Sequence, residues 1–497
     1  MLNEAALVIT LLLPFLAGVT TFLAAERYLK MIVAGLLPFL VAAPLQVAAR
    51  TYDLHAWRYE ISGWKAPLGI NLHMDGLAAV MLLLTAAVCT AVACYALGYF
   101  GEKQAEAVRK VRGFWSVFFF LWGALNAIFL VADLFSLYVC LELITLAAVA
   151  AIALEPGAGA LKAANRYLMT ALVGSLAYLL GVTLVYGQCG TLDWLLIRSQ
   201  PTDSLVLWVA LSLMTAGLMI KSALVPLHFW LPGAHSIAPA PVSALLSALV
   251  IKASFYVLLR FWVQVFPETS GPWTVHFIGA LGAGAILWGS FQAIIQTRLK
   301  LMVAYSTVAQ IGYLFLAFPL LKSAMDSENT AAQLDAWNGT IFFVLSHALA
   351  KSALFLVAGI FLKVGENDLI HEMKGTAARA PVATLTWGIA GMSLIGLPPS
   401  TGFLAKWLLL TSSIRFGYWT YGAVILVGGL LASIYVFRVL WFAFLDQPDE
   451  EIQPAAPAVM PMAALFLALL IVLLGVRPTE LFSLMQLGSP FSGGDQP

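Results

Sequence analysis

Ionisable side chains lie inside apolar stretches of this sequence that are long enough to cross a lipid bilayer. Glu142 stands near the middle of one stretch, and Lys221 stands near the end of another. An ionisable residue at membrane depth costs roughly 2.5–3.5 kcal/mol on insertion scales, and such residues mark ion pathways or proton relays. A buried carboxylate needs a partner, and a lysine beside a carboxylate can lose and regain a proton. Glu142 and Lys221 are therefore predicted to form a switchable pair, with a static ion pair that fixes helix packing as the alternative.

Four further groups extend this series. Lys252 lies in the middle of an apolar stretch, and His347 and Lys351 are spaced so that they share one face of a helix. Lys406 follows a proline-rich break by a few residues. An imidazole and amines in such positions predict a proton relay, with Lys406 at its exit. The alternatives are a packed polar seam for His347 and Lys351, and snorkelling to the membrane interface for Lys221, Lys252 and Lys406.

These six groups together predict a hydrated polar axis through the protein. If none of them were paired, their combined insertion cost would be on the order of 10–20 kcal/mol. Asp133 is the one acidic residue in the same stretch as Glu142, and it is a candidate accessory residue. Arg260 and Arg438 lie near the ends of apolar stretches, so snorkelling is the preferred interpretation for both.

Two apolar stretches are interrupted. The first break contains Pro226 and Pro232 together with two histidines, His228 and His235. The second is the run Gly396-Leu397-Pro398-Pro399-Ser400. Broken helices occur at membrane depth only where the freed backbone groups are buried in protein or line a wet cavity, and in transporters a pair of them marks the working site. One break in each half suggests an internal repeat. The two histidines are candidates for an accessory relay role or for helix capping.

Composition assigns the chain to the polytopic membrane proteins. Of its 497 residues, 61% are hydrophobic and 10% are charged, against about 25% charged in soluble domains. The apolar stretches have the length of transmembrane helices, not of barrel strands. The cysteines form no metal-binding motif, and neither a dinucleotide-binding nor a phosphate-binding glycine motif is present. We therefore expect no metal, no cofactor and no nucleic-acid partner for this chain.

The apolar pattern predicts an all-α protein with about fourteen transmembrane helices. The expected spans lie near 4–25, 31–49, 72–99, 113–131, 133–154, 164–187, 205–225, 241–265, 274–297, 300–321, 338–363, 382–413, 418–444 and 458–476. Residues 50–71 should form a hairpin or amphipathic turn, residues 322–337 a polar loop, and residues 477–497 a tail without a further helix. The first helix is expected to be retained, because no basic region or cleavage site accompanies it.

Loop charges predict the orientation of the chain, because positively charged loops stay in the cytoplasm. Loops after odd-numbered spans carry twelve basic residues: Arg27, Lys30, Lys103, Arg109, Lys110, Arg112, Lys162, Arg298, Lys300, Lys363, Lys374 and Arg379. Loops after even-numbered spans and the tail carry seven: Arg50, Arg58, Lys65, Arg198, Lys322, Arg415 and Arg477. We expect the first set in the cytoplasm, both termini outside, and a multi-pass protein of a prokaryotic inner (cell) membrane.

Several stretches carry a resemblance to a known family. The longest, KSALVPLHFWLPGAHSIAPAPVSALLSALVIK, runs from Lys221 to Lys252, and the others are DLFSLYVCLEL, LKLMVAYSTVAQIGYLFLAF, SHALAKSALFLVAGIF and GLPPSTGFLAKW. The sequence resembles the antiporter-like proton-translocating membrane subunits over roughly residues 70–445. These include large membrane subunits of respiratory complex I (an NADH:quinone oxidoreductase), D-type subunits of multisubunit, Mrp-type cation/proton antiporters, and membrane subunits of energy-converting hydrogenases.

The resemblance implies a more detailed architecture. It implies two inverted five-helix repeats, at 113-265 and 274-444, each with a broken helix, between an N-terminal segment 1-112 and a last helix with a short tail, 445-497. It also implies that Glu142 pairs with Lys221, that Lys252 connects two half-channels and that Lys406 serves the exit. The D-type antiporter subunits resemble this chain in the stretch GWKAPLGINLHMDGLAAVM. The chain departs from their usual pattern in the stretch LYVCLELITLAAVAA, so a subunit of a hydrogenase-linked or other redox-linked complex is an alternative.

The expected function is proton translocation by one subunit of a larger membrane complex, without redox chemistry of its own. Its partners would be other membrane subunits and the lipid bilayer, and its cargo would be protons and possibly sodium. One alternative is a stand-alone sodium/proton secondary transporter, although no mid-membrane cluster of Asp and Asn suggests a sodium site. Another alternative is a redox subunit that binds quinone.

Overall fold

Long apolar helices dominate the structure because each one satisfies its own backbone hydrogen bonds inside a membrane. The computed structural model describes residues 2–100, 105–201, 204–268, 271–365, 367–445 and 456–491. In these residues, twelve helices are long and apolar enough to span a membrane. The first half contains α1 (Leu2–Leu23), α2 (Glu26–Leu54), α3 (Gly76–Tyr99), α4 (Ala105–Leu130), α5 (Leu134–Ile152), α6 (Ala158–Cys189), α7 (Trp194–Arg198), α8 (Leu205–Lys221), α9 (Leu231–Ile237), α10 (Ala240–Leu245) and α11 (Ile251–Arg260).

The second half of the chain is also built from helices. It contains α12 (Pro272–Ile295), α13 (Leu299–Met325), α14 (Thr330–Gly365), α15 (Thr376–Arg379), α16 (Pro381–Ile395), α17 (Thr401–Arg415), α18 (Trp419–Phe444), α19 (Val459–Val476) and α20 (Thr479–Gln486). The π-helical turn Leu246–Val250 joins α10 to α11, and a second π-helical turn, Phe261–Val265, extends α11, so that residues 240–265 form one continuous rod. This rod and α14 are buried throughout their apolar length, whereas α1, α2, α18 and α19 are mostly exposed. The protein therefore has inner helices shielded from lipid by an outer layer.

Both predicted breaks are present. The first separates α8 from α9 and contains Pro226, while Pro232 lies in the first turn of α9, where a proline is tolerated. The second separates α16 from α17 and contains Pro398 and Pro399. Twelve unbroken spans and these two broken ones correspond to the fourteen spans expected from the sequence. The inverted relation between the halves and the segment boundaries stay predictions.

A short β-hairpin lies between the second and third spans. Strands β1 (Trp57–Glu60) and β2 (Asn71–Met74) pair antiparallel, with Trp57 opposite Met74. This confirms the hairpin expected at 50–71, although α2 continues to Leu54 before it begins. We call the side of the membrane that carries this hairpin the hairpin face. An even number of spans returns the chain to that face, so residues 2 and 491 lie on the same side.

Two expectations about the connecting segments are wrong. Residues 322–337 are mostly helical, because α13 continues to Met325 and α14 begins at Thr330. The tail contains a further helix, α20, and the Trp337 indole N–H donates to the Met485 carbonyl at 2.8 Å. This hydrogen bond holds α20 in place, although the Gly-, Ser- and Pro-rich composition of the tail does not predict a helix. Residues 492–497 of the tail, residues 446–455 and Lys103 lie outside the described residues.

Candidate functional site

The first break brings Glu142 and Lys221 together. Lys221 is the last residue of α8 and is buried, and its Nζ donates to Glu142 Oε1 on α5 at 3.1 Å. The same Nζ donates to Thr145 Oγ1, one turn along α5, at 2.9 Å. The Ser175 hydroxyl of α6 also donates to Glu142. The Glu142 side chain is 17% exposed, so the carboxylate lies at the flank of the protein while the lysine points inward.

Two glycines let the helices of this pair approach closely. A Cβ at Gly217 of α8 would lie 2.3 Å from the Gly174 carbonyl oxygen of α6, and a Cβ at Gly174 would lie 2.8 Å from the Gly217 oxygen. Small residues at a crossing are the usual device for close packing of membrane helices. This crossing positions Ser175 and Lys221 against the same carboxylate.

Lys252 occupies the centre of the inner rod. Its side chain is fully buried, so it does not snorkel. Its Nζ donates to the carbonyl of Ser247, which belongs to the π-helical turn Leu246–Val250. A π-helical turn departs from the usual hydrogen-bond ladder and often occurs at functional sites. The turn thus supplies a backbone oxygen to an otherwise uncompensated cation.

Hydroxyl groups of α13 connect Lys252 to the next lysine. Ser247 Oγ lies 3.0 Å from Thr307 Oγ1. Lys351 on α14 donates to the Val303 carbonyl at 3.1 Å and to the Ser306 hydroxyl. Thr307 donates to the same Val303 carbonyl at 3.0 Å. Sequence reasoning missed these three α13 residues, and the adjacent Ser306 and Thr307 in an otherwise apolar stretch were the available signal.

The predicted histidines have different environments. His347 is buried beside Lys252 and Lys351, and neither ring nitrogen has a hydrogen-bond partner among the described residues. A buried imidazole in this position needs water partners, as a hydrated path would provide. His235 is also buried, stacks on Phe355 with ring centroids 4.7 Å apart, and lies within charge–charge range of both lysines.

The other two accessory candidates lie outside this cluster. His228 is only half-buried in the first break, and it interacts with no lysine in the part of the chain that the structure describes. Asp133 caps the first turn of α5 by accepting from the Ser136 N–H at 2.6 Å. It lies about 13 Å along the helix from Glu142, given a rise of 1.5 Å per residue. The geometry therefore gives Asp133 a structural role at the hairpin face.

The second break holds Lys406 through backbone oxygens. Lys406 Nζ donates to the Leu394 carbonyl at 2.7 Å and to the Ile395 carbonyl at 3.2 Å, both at the end of α16. The ammonium also lies 4.5 Å from the centroid of the Tyr313 ring. Gln310 of α13 donates to the same Leu394 carbonyl at 3.4 Å. The break frees these carbonyls, so it creates the binding site for the lysine.

Lys406 lies close to Gly396, whose backbone conformation in the second break favours glycine. Gly396 has φ +92°, and a Cβ there would lie 2.8 Å from Lys406 Cδ. Any other residue at Gly396 would be strained and would press on the lysine stem. Lys406 itself is buried, as are Lys221 and Lys351, so none of these lysines snorkels.

Arg260 corrects a sequence-based expectation. It is buried instead of snorkelling, and it forms a bidentate ion pair with Asp75 at the start of α3, with Nη2 at 2.6 Å from Oδ1. It also donates to the Tyr256 hydroxyl at 2.9 Å. Burial alone would raise the pKa of Asp75, but the Arg260 charge and hydrogen bonds hold it well below its usual range. Arg438 is half-buried and donates to the carbonyls of Ile294 and Gln296 at the end of α12.

Comparison with known proteins agrees with this architecture. Residues 131–432 match the family model described as NADH:quinone oxidoreductase/Mrp antiporter, TM. The N-type subunit of the NADH-quinone oxidoreductase of Desulforudis audaxviator is 36% identical over 472 residues, which cover 91% of each chain. The D-type subunit of the Na⁺/H⁺ antiporter of Bacillus subtilis is 28% identical over 417 residues, covering 82% of this chain and 81% of the relative.

Solved structures share the fold. A chain of the Mrp complex from Dietzia sp. DQ12-45-1b superposes with a TM-score of 0.88 at 22% identity, covering 99% of this chain and 97% of that one. A chain of the membrane-bound sulfane sulfur reductase, an archaeal respiratory membrane complex, gives a TM-score of 0.86 at 24% identity with the same coverage. The family match spans more than half of the chain, and the relative from Desulforudis audaxviator spans nearly all of it. The chain belongs to the NADH:quinone oxidoreductase/Mrp antiporter transmembrane family.

Proposed function

We propose that this chain is a proton-translocating subunit of a multisubunit membrane complex. The observation that carries the proposal is the row of buried polar groups between Lys252 and Lys351, made of the carbonyl and hydroxyl of Ser247 and the polar groups of α13. These groups lie between the two broken helices. A buried series of lysines has little value for stability, because each charge removed from water must be compensated. Its value lies in holding and passing protons.

The ligands of the lysines suit this role. Lys252, Lys351 and Lys406 are held by carbonyl and hydroxyl oxygens, which stabilise an ammonium but carry no full charge. Each lysine can therefore release a proton without leaving an unpaired anion behind. Lys221 differs because Glu142 faces it. We assign the gating role to Glu142 and Lys221. Separating or joining their two charges changes the electrostatic environment at the beginning of the series Lys221, Lys252, Lys351 and Lys406.

The relatives support membership in a larger assembly. The similar chains carry the names of subunits, one of an NADH-quinone oxidoreductase and one of a Na⁺/H⁺ antiporter. The 36% identity to the former favours a redox-driven complex for this chain. The proteins that co-purify with the chain test this choice. Iron–sulfur or nickel–iron partners support redox drive, and membrane subunits alone support cation/proton antiport.

We also propose that the hairpin face is the outer side of the cell membrane. The excess of basic residues in the loops of the opposite side supports this orientation. A chain whose four native cysteines are replaced by serine can carry one new cysteine at an exposed site on either side. Glu328→Cys should react with an impermeant thiol reagent added outside intact cells, and Glu372→Cys should react only after the cells are opened. The reverse pattern would invert the proposed orientation.

The relay is tested by Lys252→Ala in the assembled complex. We expect loss of coupled proton transport in proteoliposomes, while the variant still co-purifies with its partner subunits. Full transport by this variant would contradict the relay. Sodium/proton exchange by the purified single chain in liposomes would instead favour the stand-alone transporter.

A further inference from the structure

Lys300 is a buried lysine that the relay described above does not use. It is the second residue of α13, on the side of the membrane opposite the hairpin face, and only 9% of it is exposed. Sequence reasoning counted it among the loop charges. A cation at the N-terminus of a helix opposes the helix dipole, and its burial adds a desolvation cost. A lysine at this position is therefore costly unless neighbouring groups compensate it.

The ammonium of Lys300 points toward the first break. Its Nζ donates to the Ala238 carbonyl, which follows α9, at 3.0 Å. His235 lies within the last turn of α9, close enough to Lys300 for their charges to interact. The same imidazole interacts with the charges of Lys252 and Lys351. His235 thus interacts with Lys300 on one side and with the central lysines, Lys252 and Lys351, on the other.

Asp368 is a partly exposed carboxylate next to Lys300. It lies in the segment after α14, and its Oδ1 accepts from the Lys300 backbone N–H at 3.1 Å, while its carbonyl accepts from Leu299 N–H at 2.8 Å. Partial burial raises the pKa of the Asp368 carboxyl above its ordinary value, although hydrogen bonds and the charges of Lys300 and Arg298 oppose this rise. Such a carboxyl can hold and release a proton nearer to neutral pH than an exposed aspartate.

A second ion pair lies close to the same position. Lys110 of α4 and Glu155, which follows α5, form a pair at 2.8 Å, and both charges act on Lys300. Their side chains are 27% and 32% exposed, so solvent reaches them. Charged groups therefore extend from the surface at Glu155 and Asp368 to the buried amine of Lys300, and then to His235.

We propose that Asp368 and Lys300 form the inlet through which protons pass from solvent to His235 and the central lysines. This inference rests on the proposed function and names its entry residues. Lys300 gives an N–H proton to a ring nitrogen of His235, through water where the two do not touch. The resulting free amine takes the proton of the Asp368 carboxylic acid, through water where the two side chains do not touch, and a proton from the bulk solvent restores the carboxylic acid. His235 then passes its extra proton to the free amine of Lys252 or Lys351, so one proton enters for each cycle and Lys300, Asp368 and His235 return to their starting states.

The test compares variants that keep the hydrogen bonds but not the proton transfer. Lys300→Arg keeps the charge and a donor for the Ala238 carbonyl, but a guanidinium does not release protons in this range. Asp368→Asn keeps the acceptor for the Lys300 N–H and cannot carry a proton. Glu372→Gln is the control, because Glu372 is an exposed carboxylate in the same segment. Each variant is assayed for proton transport in proteoliposomes containing the assembled complex, in H₂O and in D₂O.

We expect Lys300→Arg and Asp368→Asn to lower transport at least tenfold and to raise its solvent isotope effect, with Glu372→Gln unchanged. Transport within twofold of the wild type in both variants would overturn the inlet. A fall in transport without any rise in the isotope effect would also overturn it, since a purely structural role predicts that result. Lys252→Ala in the same assay separates the two proposals. If it abolishes transport while Lys300→Arg and Asp368→Asn do not, only the inlet fails; if it leaves transport intact, the proposed function fails.

Discussion

The two broken helices each hold a buried lysine, but they do so in different ways. At the first break, Lys221 donates to a carboxylate, Glu142, and to the hydroxyl of Thr145. At the second break, Lys406 donates to two backbone carbonyls at the end of α16 and faces the ring of Tyr313. The first lysine is compensated by a full negative charge, and the second by dipoles and a π system.

This difference separates the roles of the two breaks. At the first break, Glu142 and Lys221 compensate each other directly, so movement of charge there requires a change in the pair. Among the described residues no carboxylate pairs with Lys406, so the loss of its proton leaves no unpaired anion there. We therefore propose that the first break controls proton movement and that the second discharges protons.

Lys221→Met should lower both transport and stability. It leaves the Glu142 carboxylate with only the Ser175 hydroxyl as its described side-chain donor, and an unsatisfied buried group costs about 1–3 kcal/mol. We expect at least a tenfold loss of proton transport and a lower unfolding temperature in detergent. Lys162→Met, at an exposed position of α6, is the matched control and should change neither. An unchanged unfolding temperature for Lys221→Met would show that the ion pair at the first break contributes no more to stability than the carbonyl ligands at the second.

Lys406→Met should lower transport to a similar extent but leave stability nearly unchanged. No carboxylate loses its partner, and the Leu394 carbonyl keeps Gln310 as a donor. We expect an unfolding temperature within about 1 °C of the wild type, which corresponds to about 1 kcal/mol for a chain of 497 residues. A destabilisation as large as that of Lys221→Met would show that the carbonyl ligands are as essential to the fold as the ion pair.

Tyr313→Phe should have the smallest effect. The phenyl ring still presents its face to Lys406, and the hydroxyl lost from Tyr313 donates only to the Ile425 carbonyl at 3.2 Å. The loss of that hydrogen bond costs about 1 kcal/mol. Transport should stay within twofold of the wild type, whereas Tyr313→Leu, which removes the π face, should lower it further. Equal effects from the two substitutions would argue against a role for the ring in holding the lysine.

The sequence predicted the parts of the site that depend on residue type and local interruption. The pairing of Glu142 with Lys221 followed from the cost of burying either charge alone and from the family resemblance. The breaks followed from Pro226 and from Pro398 with Pro399, and the span positions followed from uninterrupted apolar length. Each of these signals is local to one helix or follows from two buried charges of opposite sign that must compensate each other.

The remaining features depend on tertiary packing. Arg260 was expected to snorkel because its position near a span end suggested access to water, but Asp75, 185 residues earlier, pairs with it inside the protein. Lys300 was taken for a loop charge because the inward direction of its side chain depends on the packing of α13 against α9. The π-helical turn before Lys252 carries no proline or glycine, so no local signal marked it.

The most direct test of the account is the rate of proton transport by the assembled complex with Lys252→Arg. Arginine keeps a positive charge and hydrogen-bond donors at the centre of the row, but it does not give up a proton. If Lys252 passes protons, this variant should assemble normally and lose at least nine-tenths of the transport rate, with Lys162→Arg at wild-type rate. If Lys252→Arg transports protons at half the wild-type rate or faster, the central lysine serves only as a fixed charge and the proposed relay is wrong.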